Sequence, residues 1–219
     1  MKDKGMNPST WIKLTAYRSR WRVIAGVGFA LALWTFTFLS DALGVFWYRV
    51  TLSATVLAVY ATLVDGGVMR EQMDEPQLFT VVAGVGAGVF LYALFFLGYS
   101  SLEPLLEGGA SEVYLFRLET PLTVVASTLV VTSFCEEYFW RAFIQRRLSE
   151  GYGDSWGIIA STLSYALIHT PTMNAPLVLA ALIAGLFWGL LYKWYGSLWM
   201  VYASHLVWTE LVFVLLPLG

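Results

Sequence analysis

The feature that most constrains this chain is a run of 38 residues, Ser155–Tyr192, without one Asp, Glu, Lys or Arg. A helix needs about 20 apolar residues to cross the hydrocarbon core of a bilayer. The run is therefore long enough for two crossings, with Pro171 and Pro176 marking the break between them. Shorter apolar runs recur along the chain at Val23–Leu39, Ala42–Val64, Gln77–Leu102, Pro121–Cys135 and Trp194–Leu218. Ala42–Val64 is interrupted only by Arg49, whose long side chain is expected to snorkel to the headgroups; Trp194–Leu218 holds Glu210. The pattern predicts an all-α, polytopic transmembrane bundle of about seven spans. Composition agrees, with 58% of residues apolar and 13% charged, where a soluble domain carries about 25% charged residues. Half the usual charge cannot coat a water-facing surface. That excludes a disordered chain, a typical soluble enzyme and a nucleic-acid binder. The one cysteine, Cys135, excludes an intrachain disulfide and a cysteine-rich metal site.

Basic residues orient such a bundle. With the N-terminus in the cytoplasm, Lys2, Lys4, Lys13, Arg18, Arg20, Arg22, Arg70, Arg141, Arg146, Arg147 and Lys193 fall inside, and only Arg49 and Arg117 outside. The expectation is a multi-pass protein of the cell (inner) membrane, N-terminus cytoplasmic and C-terminus external. Ser101–Thr120, with Glu103, Glu107, Glu112 and Glu119, reads as an external connection carrying one interfacial helix. The first span reads as retained, because its apolar run exceeds a signal-peptide core and no small-residue cleavage site follows. Gly84-x-x-x-Gly88 and Gly185-x-x-x-Gly189 are pairs that let helices approach closely, and they read as packing.

A carboxylate at bilayer depth is expensive, so it is usually paired, water-facing and functional. Three polar constellations lie in the second half of the chain. In Cys135-Glu136-Glu137-Tyr138-Phe139-Trp140-Arg141, Glu137 and Arg141 stand at i and i+4 with the acid first, the favourable order for a helical ion pair. Glu136 is rotated about 100° from Glu137, so it is free to face a cavity while its neighbour is held. Tyr165 and His169 share a second helix face, and His205 and Thr209 a third. Glu210 is about 140° around the helix from His205 and is the poorer candidate. At 1.5 Å per residue Glu136 lies about 15 Å deep, His169 about 21 Å and His205 about 12 Å, so three ionisable groups from three spans can meet at a middle depth. The bland alternatives are a carboxylate pair marking a helix end and histidines that merely pack. A zinc site of two His and two Glu is the competing chemistry, but the chain has no His-Glu-x-x-His pair.

Taken in order, Glu136-Glu137-x-x-x-Arg141, Tyr165-x-x-x-His169, Gly196-Ser197-Leu198-Trp199 and His205-x-x-x-Thr209 resemble the CPBP family. These are the type II CAAX prenyl endopeptidases and the ABI-type bacteriocin-processing or self-immunity proteins. The resemblance runs from Pro121 to Leu218 and implies a catalytic four-helix core at 121–219, preceded at 1–120 by a cytoplasmic tail and three helices. Tyr165 stands where the family usually has Phe, and Thr209 where it usually has Asn. Thr offers one hydroxyl donor, Asn two amide N–H groups. The resemblance implies a glutamic-type intramembrane endopeptidase that needs no metal or cofactor and cleaves a lipidated or membrane-anchored polypeptide, in protein sorting or maturation. Glu136 would then activate a water, His169 position it, and His205 with Thr209 stabilise the oxyanion, while Glu137 and Arg141 fix the cavity wall. Two rival functions remain: a degenerate member serving bacteriocin self-immunity or scaffolding, and a proton-coupled transporter. Against the latter, the chain shows no inverted repeat.

Overall fold

The structure is a computed structural model that describes residues 8–67, 77–118 and 120–218, with side chains from residue 20 onward. Lys2, Lys4, Arg70, Glu119 and the side chains of Lys13 and Arg18 lie outside the described residues. The described residues form helices and no strand: α1 (Pro8–Leu39), α2 (Phe46–Val64), α3 (Leu78–Leu118), α4 (Leu122–Glu137), a π-helical stretch (Tyr138–Gln145), α5 (Arg146–Tyr152), α6 (Asp154–Leu167), α7 (Ala175–Tyr195) and α8 (Leu198–Glu210), which ends in a second π turn at Leu211–Leu215. Among them, six rods are long and apolar enough to cross a membrane: Arg20–Leu39, Phe46–Val64, Leu78–Leu118, Leu122–Tyr152, Ala175–Tyr195 and Leu198–Leu215.

The seventh expected span is α6. Its 14 residues measure about 21 Å, short of the roughly 30 Å hydrocarbon core. It stops where the prolines said it would. Pro171 disfavours helical backbone at Thr170, and Thr170–Thr172 tightens into a 3₁₀ turn. Met173 then takes a left-handed conformation with φ 54°. Asn174 restarts the chain as the N-cap of α7, its side chain accepting from the Leu177 N–H at 2.9 Å. The same logic joins α7 to α8. Gly196, at φ 61°, ends α7, and the Ser197 hydroxyl caps α8 by accepting from Met200 N–H at 3.3 Å.

Close approach of α3 to α8 rests on Gly84 and Gly88. A Cβ at Gly88 would stand 2.6 Å from the Ser204 carbonyl oxygen, so this helix contact admits nothing larger than hydrogen. Gly185 and Gly189 of the second pair meet Tyr165 and Gln145 instead, which brings α7 against α6 and the π stretch. The packing role expected of both pairs is what the structure shows.

Two placements differ from the expectation. Arg49 does not snorkel: it is buried, its Nε donates to the Thr37 carbonyl at 3.1 Å and its Nη1 to Gly44. The last carbonyls of a helix have no intrahelical donor and carry the negative end of its dipole, so the end of α1 is a better partner than headgroup water. Arg141, counted among the cytoplasmic charges, is also fully buried. Arg146 and Arg147 do converge at one end of the bundle, where both pair with Asp65 at the end of α2 and with Glu150.

The connection expected at 101–120 is helical and continuous with the third span. Leu102, at φ −122° and ψ 16°, breaks the helical backbone just before Pro104, which has no N–H to continue the ladder. The far half of α3 bends back over the bundle. Phe116 stacks on Phe46 with ring centroids 4.1 Å apart, and Trp47 donates its indole N–H to the Phe116 carbonyl at 2.7 Å. Asn174 Nδ2 ties Gly109 and Glu112 to the α6–α7 turn.

Candidate active site

α4 delivers two adjacent carboxylates to two different surroundings, as the 100° rotation between neighbours requires. Glu137 points into the bundle and is fully buried. One oxygen, Oε1, accepts from His205 Nδ1 of α8 at 2.7 Å. The other lies 3.2 Å from Arg141 Nε, close enough for strong attraction though not aligned as a hydrogen bond. The expected Glu137–Arg141 pair is therefore present. Arg141 belongs to the π stretch, an element that recurs at functional sites. There its Nη2 donates to the Gly185 carbonyl at 3.3 Å, and its guanidinium lies 5.2 Å from the centre of the Tyr165 ring and 5.7 Å from that of Trp188.

Glu136 faces a cavity of about 120 Å³, room for several water molecules. Its Oε2 accepts the Tyr165 hydroxyl at 2.8 Å. His169 and His205 line the same cavity, together with Ser133 and Thr209, so residues from α4, the end of α6 and α8 converge as the depth estimate required. Val113 and Phe116 of the bent half of α3 and Trp34 and Phe38 of α1 close its apolar walls.

Hydrogen bonds assign the proton positions on both imidazoles. His169 Nδ1 lies 2.8 Å from the Tyr165 carbonyl, an acceptor only. Nδ1 therefore carries the proton, and in the neutral ring Nε2 presents a lone pair. Trp34, Phe38 and Tyr165 pack around this ring, with centroids 6.5, 5.9 and 5.1 Å away. His205 likewise donates from Nδ1, here to a carboxylate, and its ring is stacked on Trp188 at 3.9 Å and 18°. Trp188 is in turn held by its indole N–H on Ser204 Oγ at 3.2 Å. Carboxylate below and indole alongside leave the imidazole one orientation.

Thr209 also reaches the cavity, but its hydroxyl lies 3.0 Å from both the His205 and Leu206 carbonyls of its own helix. Its single proton is used there. Glu210 does not line the cavity. Tyr165, Trp188 and Ser133 were not singled out as site residues from sequence. Tyr165 was visible as the first member of the Tyr165–His169 pair, and Ser133 stands one turn before Glu136. Trp188 carried no signal of its own, since it sits on a helix that is apolar almost all round. Among the described residues, no group of three His, Cys, Asp or Glu side chains is arranged to hold a metal ion.

A Glu137 carboxylate shared by Arg141 and His205, a second carboxylate facing water-sized space, and two imidazoles with hydrogen-bonded Nδ1 atoms thus lie together in an apolar shell. Residues 118–210, which carry every polar member of this set, match the family model described as Type II CAAX prenyl endopeptidase Rce1-like. No curated protein and no solved structure matches the chain. Over residues 118–210 the chain is thus similar to the Rce1-like type II CAAX prenyl endopeptidases.

Proposed function

We propose that the protein is an intramembrane endopeptidase that hydrolyses a lipidated or membrane-anchored polypeptide with water activated by Glu136. The observation that carries this reading is the single cavity onto which Glu136, His169 and His205 open from three helices. Tyr165 occupies one oxygen of Glu136, which leaves the other to take a proton from water. The bare Nε2 of His169 accepts that water's second hydrogen, so a lone pair is aimed at the scissile carbonyl. Attack forms the carbon–oxygen bond and puts negative charge on the carbonyl oxygen, opposite His205, which in its doubly protonated form donates from Nε2 while Nδ1–H stays on Glu137. Collapse breaks the carbon–nitrogen bond, and the proton held by Glu136 passes to the leaving amine. Glu137 and Arg141 touch no reacting atom; they hold His205 and the helix in place.

The substrate class follows from what adjoins the site. A second cavity of about 210 Å³ shares Val113, Leu177, Ala180, Trp208 and Phe213 with the first, and it is walled mainly by apolar side chains of α3, α7 and α8. A hydrocarbon anchor fits there while its peptide reaches Glu136. The matched family's description as a prenyl endopeptidase agrees. Purified protein in detergent is expected to release the C-terminal fragment of a farnesylated CAAX peptide, and to keep its rate after exhaustive treatment with a metal chelator. Loss of activity restored by added zinc would replace the glutamic mechanism with a metal one. A second reading, a scaffold or immunity protein with an incomplete site, draws on the committed Thr209 proton; wild-type protein that binds but never cleaves the peptide would favour it.

In the same proposal the protein sits in the cell membrane with its N-terminus, Arg146 and Arg147 cytoplasmic and the bent half of α3 external. Gly108 and Gly151 have open space around them, so each accepts a cysteine. In a Cys135→Ser background, Gly108→Cys is expected to react with an impermeant maleimide on intact cells, and Gly151→Cys only after permeabilisation. The reverse pattern would invert the orientation.

A further inference from the structure

Several hydroxyls on the helices around the site serve their own helix, while others, such as Ser161 and Ser204, bond across to a neighbouring element. Thr51, Thr55, Ser127, Thr128 and Thr209 each donate to a carbonyl one turn back in their own helix, the usual way a helical Ser or Thr satisfies its proton. Ser133 does not. It is buried, it lines the cavity, and its one hydrogen-bond partner among the described residues is Thr209 Oγ1, at 3.4 Å. By geometry either hydroxyl of this pair can donate; Thr209 Oγ1 also stands 3.0 Å from two helix carbonyls, and with its single proton directed there Ser133 is the donor.

We infer that Ser133, not Thr209, is the hydroxyl that donates to the oxyanion of the scissile carbonyl, beside His205. A bond of 3.4 Å is at the weak limit for two hydroxyls, whose usual separation is about 2.7–2.8 Å, so the Ser133 O–H turns to a stronger acceptor at little cost. Withdrawing the Thr209 proton would instead leave the helix carbonyls it now serves. Position agrees. Ser133 precedes Glu136 by three residues, which puts their side chains about 5–6 Å apart on one helix face. That is the spacing a peptide carbonyl needs to have water delivered to its carbon by one group and its oxygen received by the other. Ser133 keeps its proton throughout, donating a hydrogen bond as charge develops and returning to Thr209 when it disperses. Thr209 is then a positioning residue that holds the Ser133 hydroxyl ready.

The inference rests on the peptidase reading and is tested apart from it. On the farnesylated CAAX peptide, Ser133→Ala is expected to lower kcat by about 10²–10³ with KM nearly unchanged, the loss associated with one oxyanion donor. Ser133→Thr, which restores a hydroxyl, is expected to recover most of it. Thr209→Val, which removes that hydroxyl while keeping shape, should lower kcat less than about tenfold. Binding of a peptidyl phosphonate, whose oxygens mimic the tetrahedral intermediate, should weaken in Ser133→Ala by the same factor as kcat. Thermal stability in detergent reports separately on folding. Near-normal kcat in Ser133→Ala, or a larger loss in Thr209→Val than in Ser133→Ala, overturns the assignment while cleavage still fails in Glu136→Gln. Full activity in Glu136→Gln instead overturns the peptidase mechanism beneath it.

Discussion

Glu136→Gln is expected to leave a folded, fully helical protein in normal yield that cleaves nothing. The substitution keeps the size of the side chain and an oxygen for the Tyr165 hydroxyl to reach, so the wall of the cavity is conserved. It removes the only carboxylate among the described residues that lines the cavity. An amide cannot take a proton from water near neutral pH, and general-base assistance of this kind contributes typically 10²–10⁴ in rate. The loss should exceed that range here. In the proposed mechanism Glu136 also returns the proton to the leaving amine, so both proton transfers are lost with it. Single-turnover cleavage, measured on protein of matched melting behaviour, gives the number.

Glu137→Gln, one residue along the same helix, should fail in a different way. Glu137 has no exposed surface and is shared between Arg141 and His205. A neutral amide satisfies at most one of them, and it leaves the guanidinium of Arg141 without a counter-charge in the bundle. Breaking a buried ion pair by removing one partner costs about 3–5 kcal/mol, a large share of the roughly 5–15 kcal/mol that holds a folded domain together. The yield of detergent-stable protein should drop sharply. The fraction that folds should be slow as well, since His205 loses the carboxylate that accepts its Nδ1–H and orients its ring. Normal yield with lost activity would move Glu137 into the reacting set, alongside Glu136.

The different surroundings of these two carboxylates were legible in the sequence, because they follow from helical geometry alone: i to i+4 pairs Glu137 with Arg141, and the 100° step turns Glu136 elsewhere. The membrane rods were legible from runs without charge, and the end of α6 from Pro171. What was not legible depends on which helix faces which. α7 and α8 are apolar nearly all round, and such helices carry no periodic face from which a neighbour can be inferred. Hence Trp188 against His205, and Ser133 against Thr209, appear only once the helices are packed. Arg49 was misplaced for a related reason: the sequence shows an arginine near a span's end, but not the carbonyls of Thr37 and Gly44 that the α1–α2 turn brings to it. The bend at Leu102 was half visible in Pro104. That the bent segment would close the cavity with Val113 and Phe116 was not.

The central claim is that the scissile bond is hydrolysed in the cavity between Glu136, His169 and His205. The most direct test is an experimental structure of Glu136→Gln holding an uncleaved farnesylated peptide. The expected result places the scissile carbonyl carbon inside this cavity, with a water about 3–3.5 Å from it, the separation of reacting atoms poised to combine, and with the carbonyl oxygen turned toward His205 and Ser133. A peptide bound with its scissile bond outside the cavity, or separated from residue 136 by an intervening helix, would contradict it.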